Sequence, residues 1–138
     1  MAPSAEDKGI VLQCTVPGPA VCKADLRLVQ RMVANLLDNA LQYTPAGGTV
    51  IVTTGAADGD AVFITVADTG VGISPEDLPH IFKRFYRCDE SRTHSGSGLG
   101  LSLVQAIATS HGGTIDVNSA PGRGSTFTVT LPRQGPQK

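Results

Sequence analysis

Asn35 and Asn39 stand four residues apart in Asn-Leu-Leu-Asp-Asn-Ala-Leu-Gln-Tyr, residues 35–43. On a helix that spacing stacks two carboxamides one turn apart, and Gln42 joins the same face three residues on. An amide oxygen is a hard, neutral ligand of the kind a magnesium ion accepts while it also holds phosphate oxygens. A solvated polar face can carry the same residue types. Asparagine is a poor helix former, however, which weighs against two of them standing here as surface alone.

Three further segments could do chemistry. Asp68-Thr69-Gly70-Val71-Gly72-Ile73 sets a carboxylate beside two glycines that permit unusual backbone angles and close approach, although an ordinary turn would read the same way. Gly96-Ser97-Gly98-Leu99-Gly100-Leu101 is rich in glycine at the start of a helical pattern. Free N–H groups and a positive dipole end favour phosphate there. The run has no Walker lysine and does not fit the dinucleotide fingerprint, so a P-loop is excluded. Lys83, Arg84, Arg87 and Arg92 lie close by, either as a solvated basic face or as charge-assisted contacts to that phosphate.

These residues need elements to hold them. Ile10, Leu12, Cys14 and Val16 alternate as a strand, and a short strand around Ala20–Lys23 follows Pro17-Gly18-Pro19. Asp25 is placed to cap a helix reaching Tyr43, with Leu26, Val29, Val33, Leu36, Leu37 and Ala40 as its apolar stripe. Pro45-Ala46-Gly47-Gly48 ends it. Val50–Thr54 and Val62–Ala67 read as strands joined near Asp58-Gly59. Ser74-Pro75-Glu76-Asp77 predicts the start of a second helix, running to about Tyr86. The polar stretch from Arg87 is a loop, and a third helix spans about Gly98–His111 before Gly112-Gly113. Strands near Thr114–Asn118 and Ser125–Leu131 close the chain. Short turns between consecutive strands predict an α+β fold, a largely antiparallel or mixed sheet with helices on one face.

Composition agrees with a globular domain. The chain has 138 residues, 41% hydrophobic and 17% charged, with no tryptophan, so the core is aliphatic. It reads as one domain over residues 9–133 with tails at 1–8 and 134–138. A net charge of −1 gives no general footprint for nucleic acid or a membrane surface. Cys14, Cys22 and Cys88 form no CxxC pair, which argues against zinc and for reduced thiols of a cytoplasmic protein. No apolar run approaches membrane-spanning length and no signal peptide is visible.

It is the order of the motifs that is specific. The asparagine box, Asp-x-Gly-x-Gly after a strand, Ile81-Phe82-Lys83-Arg84-Phe85-Tyr86-Arg87, Gly-x-Gly-Leu-Gly at a helix start and Gly122-Arg123-Gly124-Ser125-Thr126-Phe127 together resemble the ATP-binding catalytic domain of bacterial two-component sensor histidine kinases. The resemblance covers about Ile10–Pro132. The wider superfamily includes type II topoisomerase ATPases, mismatch-repair ATPases and a heat-shock chaperone. A Bergerat-type two-layer α/β sandwich is implied, with a mixed sheet of about five strands, three helices and a flexible ATP lid at about Arg87–Ser97.

The same resemblance implies roles. Asn39 would be the Mg2+ ligand, with Asn35 supporting it. Asp68 would read adenine through its exocyclic amine, while Gly70, Gly72 and Ile73 bring backbone near the base. Tyr43 would stack on the ring and Thr126 would support the adenine end. Gly98, Leu99 and Gly100 would cradle phosphates, and Arg87 would approach the γ-phosphate. Gln42 departs from the lysine or arginine usual in the family, so a lid arginine would have to supply that charge. The implied activity is transfer of the γ-phosphate of Mg-ATP to a histidine on a separate dimerisation and phosphotransfer domain, and indirectly to a response regulator. The fragment itself is expected to be monomeric, the cytoplasmic portion of a membrane-anchored kinase.

Two other functions fit parts of the pattern. ATP-hydrolysing relatives use a glutamate at the place of Asn35, and asparagine cannot act as that base. A nucleotide-binding module without catalysis would keep the motifs but transfer nothing. Serine kinases that regulate sigma factors are further relatives, from which the Phe-Tyr-Arg segment leans away. His80, His94 and His111 do not stand in the acidic context of a phosphoacceptor, and read as structural or surface residues.

Overall fold

The computed structural model describes residues 9–15, 25–57, 60–83 and 100–132. Its elements are β1 (Val11–Thr15), α1 (Leu26–Tyr43), β2 (Thr49–Ala57), β3 (Ala61–Asp68), a 3-10 turn (Leu78–His80), α2 (Gly100–Ser110), β4 (Thr114–Ser119) and β5 (Ser125–Pro132). The expected strand at Ala20–Lys23, the turn at Asp58-Gly59 and the lid lie outside the described residues.

α1 begins where the sequence predicts. Asp25 caps it, its carboxylate accepting from the Leu28 N–H at 3.2 Å. The helix ends at Thr44, whose extended backbone (φ −104°, ψ 119°) is what a residue before proline prefers. Thr44 is fully buried, and its hydroxyl satisfies itself by donating to the Ala40 carbonyl at 2.6 Å. The buried stripe is Met32, Leu36, Ala40 and Leu41, with Val29 and Leu37 packed alongside. Met32, one turn before Leu36, takes the core place predicted for Val33 and is fully buried.

The predicted helix over Ser74–Tyr86 is corrected. Ser74 does cap a turn, with its carbonyl accepting from Asp77 N and Leu78 N, and its hydroxyl bonded to the Asp77 carboxylate at 2.9 Å. The turn then tightens into the 3-10 segment at Leu78–His80. Pro79 is the reason: it offers no N–H to the ladder, and its ring would strike the carbonyl four residues back. The described residues therefore hold two α-helices and one 3-10 turn instead of three α-helices.

The five strands form one mixed sheet in the order β1-β2-β3-β5-β4. β1 and β2 pair in parallel, which requires the long crossover that contains α1; the other pairs are antiparallel. Register aligns residues in rows across the sheet. Val52, Val66, Phe127 and Val117 form one row, and Thr54, Ile64, Val129 and Ile115 the next. Val66, Phe127 and Val129 are buried there against the aliphatic side of α1 and α2. Each apolar row removed from water contributes in proportion to its area. Phe82 closes the row edge-on to Phe127, with ring centroids 6.4 Å apart.

Candidate functional site

The row at the end of the apolar stack is polar. Val50, Asp68, Ser125 and Ser119 stand side by side on β2, β3, β5 and β4, on the core side of the sheet. Asp68 is only 8% exposed and Ser125 only 7%. A carboxylate this buried must be hydrogen-bonded. Its Oδ1 accepts from Gly70 N at 2.8 Å and from Ser125 N at 3.2 Å. Among the described residues, no such bond reaches Oδ2. Burial raises the Asp68 pKa above the ordinary aspartate value, because it penalises the charge, and the two backbone donors offset this only in part.

Glycine geometry builds the wall of the site. A Cβ on Gly70 would strike the Tyr43 carbonyl oxygen, which already accepts from Val71 N at 3.1 Å. The Asp68 turn is thereby seated on the C-terminal end of α1. Gly72 has φ +76°, and a Cβ there would strike the Ala120 carbonyl oxygen. Both missing side chains are thus explained by close packing of protein backbone. Ile73 continues the clamp, its N–H donating to the Ser119 hydroxyl at 2.8 Å.

Tyr43, Asn39 and Asn35 mark successive turns of α1 leading away from this clamp. Each turn advances about 5.4 Å. Asn35 and Asn39 are half-buried beside the core stripe, and Gln42 and Tyr43 are half-buried too. Among the described residues, neither asparagine carboxamide has a hydrogen-bond partner, whereas Gln42 and Tyr43 both have interactions. Gly100 is the first residue of α2. Gly98, Leu99 and Arg87 lie outside the described residues.

Thr126 is not brought to the site. Alternation along β5 buries Ser125, Phe127, Val129 and Leu131 on one face and turns Thr126 to the other, between Ala67 and Asn118. The residue beside Asp68 is Ser125, which the motif-based reading missed. The period-two pattern Ser125-Phe127-Val129-Leu131 carried the signal, and Ile115-Val117-Ser119 carried it for Ser119. His111 is also buried. Its Nδ1 bonds the Ile107 carbonyl at 2.8 Å and its Nε2 accepts from Asp25 N at 3.0 Å, so it ties the end of α2 to the start of α1. Among the described residues no cluster of His, Cys, Asp or Glu could hold a metal ion, and no helix is long and apolar enough to cross a membrane.

The glycine-clamped aspartate at the end of a mixed sheet, facing an asparagine-bearing helix, has counterparts in known proteins. The chain belongs to the family of histidine kinase-, DNA gyrase B- and HSP90-like ATPases, which matches residues 24–135. Within it, the similarity is to sensor histidine kinases. RppB of Synechocystis is 51% identical over 104 residues, covering 74% of this chain and 23% of that protein. CusS of Escherichia coli is 42% identical over 135 residues, covering 93% of this chain and 26% of that one. The mycobacterial sensor histidine kinase MprB superposes with a TM-score of 0.82 at 32% identity, over 97% of this chain and 90% of that one. The full-length ShkA complex with AMPPNP superposes at 0.84, also 32% identical, over 97% of this chain and 28% of that one. The chain therefore spans about a quarter of the curated relatives.

Proposed function

We propose that this chain binds Mg-ATP and transfers its γ-phosphate to a histidine on a separate dimerisation and phosphotransfer domain. The observation that carries the reading is Asp68: a buried carboxylate with Oδ1 held by two backbone donors, at the end of the sheet, in a turn bonded through Val71 N to the Tyr43 carbonyl at the end of α1. The ShkA structure holds an ATP analogue, and the fold match extends over 97% of this chain.

Adenine offers an amine where guanine offers a carbonyl. Asp68 would accept from that amine, whereas a carbonyl would leave two acceptors facing one another, an unpaired burial worth roughly 1–3 kcal/mol. Tyr43, whose carbonyl seats the Asp68 turn, would stack on the base, and Gly70, Gly72 and Ile73 would form the backbone floor. Asn39, supported by Asn35, fits Mg2+ through its neutral amide oxygen, the remaining ligands being phosphate and water. When bound, the cation offsets phosphate charge. Gly98, Leu99 and Gly100 would donate backbone N–H groups to phosphate, and Arg87 would approach the γ-phosphate.

Asn35 distinguishes transfer from hydrolysis. A carboxamide takes no proton from water, so this helix offers no general base at that position. A neutral imidazole brings its own lone pair and needs none. Positioning and electrostatics then suffice for transfer. A response regulator would receive the phosphoryl group from the partner domain, and the fragment would act as a cytoplasmic monomer.

Incubating labelled ATP with this chain, with and without the parent's phosphotransfer domain, tests the proposal. The chain alone is expected to bind ATP, release little phosphate and label nothing. With the partner, an acid-labile, alkali-stable phosphoramidate is expected. Robust phosphate release by the chain alone would favour the ATPase, and binding without transfer to the cognate domain would leave a nucleotide-binding module.

A further inference from the structure

His111 takes no part in the proposed chemistry, yet both of its ring nitrogens are committed and the residue is only 6% exposed. Nδ1 lies 2.8 Å from the Ile107 carbonyl oxygen and 3.3 Å from the Ser110 hydroxyl. A carbonyl only accepts, and Ser110 gives its own proton to the Ile107 carbonyl at 2.8 Å. Nδ1 therefore carries the ring proton. Nε2 faces the Asp25 N–H at 3.0 Å and meets it as an acceptor. The imidazole is a bridge with one allowed tautomer, joining the residue after α2 to the N-cap residue of α1 across 86 positions of sequence.

The place of the bridge reaches beyond the cap. α2 packs against α1, with Val104 and Ile107 in the same core as Met32 and Leu36. The end of α2 is fixed at Asp25, so its start lies back along α1. Its 11 residues rise about 16 Å, the length of α1 from Asp25 to about Leu36. That is the level of Asn35, one turn before Asn39. The first turn of α2, from Gly100 onward, carries N–H groups with no partner inside the helix. We propose that His111 is a positioning residue for the phosphate end of the nucleotide, anchoring α2 so that its first turn stands level with Asn35 and Asn39 and one magnesium-bound phosphate group can meet both helices. The inference rests on the nucleotide-binding reading above. The Asp68 turn is tied separately, through the Tyr43 carbonyl and through Gly122 N on the Val71 carbonyl, so the base end does not depend on His111.

Calorimetry on the whole chain tests this by comparing Mg-AMPPNP with ADP in the absence of magnesium. His111→Phe keeps the ring and loses the acceptor. His111→Asn keeps a donor for the Ile107 carbonyl but is too short to reach Asp25 N. Both variants should favour Mg-AMPPNP over ADP less than wild type does, by about 3- to 10-fold, the range one neutral hydrogen bond spans. His111→Gln sets an amide oxygen at the place of Nε2 and should restore the wild-type ratio. The asparagine variant carries the test should His111→Phe not fold. Nitrogen NMR of the wild-type imidazole should show the proton on Nδ1.

A His111 that served stability alone would weaken both ligands alike. An unchanged ratio in folded His111→Phe or His111→Asn therefore overturns the proposal, as does a folded His111→Gln that fails to restore it, or a ring proton found on Nε2. The nucleotide reading fails separately: in that case wild type binds neither ligand.

Discussion

At the scale of single residues, Asp68 combines two demands that pull apart. A buried charge is unfavourable for folding, and an acceptor is what the proposed ligand requires. Its pKa is raised in the folded chain, with burial as the leading cause. Below the ordinary aspartate range the group is protonated in folded and unfolded chains alike, and its contribution to stability is complete. That contribution is lost as pH rises through the folded value. Asp68→Asn keeps an oxygen for Gly70 N and Ser125 N and removes the charge. The variant is expected to be at least as stable as wild type at neutral pH, with the gap closing at about pH 4. Thermal melts at the two pH values check this, and calorimetry should show ADP affinity lost in the same variant. A markedly less stable variant at neutral pH would contradict the account of burial. Asn39→Ala poses the complementary question. It should lessen the magnesium dependence of ATP binding more than it lessens ADP affinity without magnesium, since its amide oxygen suits a hard cation. An equal magnesium effect in both proteins would remove Asn39 from that role.

At the scale of elements, the site depends on contacts that cross between them. The Asp68 turn is held to α1 through Tyr43 and to the β4–β5 hairpin through Gly122 N on Val71 O at 2.9 Å. Gly72→Ala is expected to destabilise the chain by about 1–3 kcal/mol from backbone strain alone. The collision with the Ala120 carbonyl adds to this. Val71→Ala, one residue away and 46% exposed, should change stability by no more than about 0.5 kcal/mol. Denaturant melts of the two variants give the comparison; a tolerated alanine at Gly72 would show that the turn relaxes freely. His111 makes the matching tie at the other end of α1. His111→Phe keeps the bulk, leaves Asp25 N without its acceptor, and is expected to lower stability by about 1–3 kcal/mol. Unchanged melting would mean that the cap finds another partner.

At the scale of the whole molecule, the pairing of β3 with β5 brings residues 57 positions apart, Asp68 and Ser125, into one hydrogen bond. A ligand that binds only this assembled state must stabilise it. ADP at about one hundred times its dissociation constant should add about 2.7 kcal/mol, seen as a rise in melting temperature. Asp68→Asn should show no such rise. A nucleotide-independent melt of wild type would count against a preformed site.

The one-dimensional pattern was enough for the elements whose rules are local. The Asp25 cap, the Pro45 stop and the strands over residues 62–67 and 125–131 depend on neighbours within a few positions, and the folded chain shows them. Pro79 was equally local, and it outweighs the helix-start signal at Ser74 because a missing N–H cannot be restored by a good cap. The motif order was likewise enough to place the chain among the histidine-kinase-like ATPases. Tertiary structure alone decided which hydroxyl of Ser125-Thr126 faces Asp68, because a strand's face is set by register with its neighbours and a shift of one residue reverses it. It also decided why Gly70 and Gly72 are glycines: the atoms a side chain would strike, the Tyr43 and Ala120 carbonyls, are distant along the chain and adjacent only once the sheet has formed.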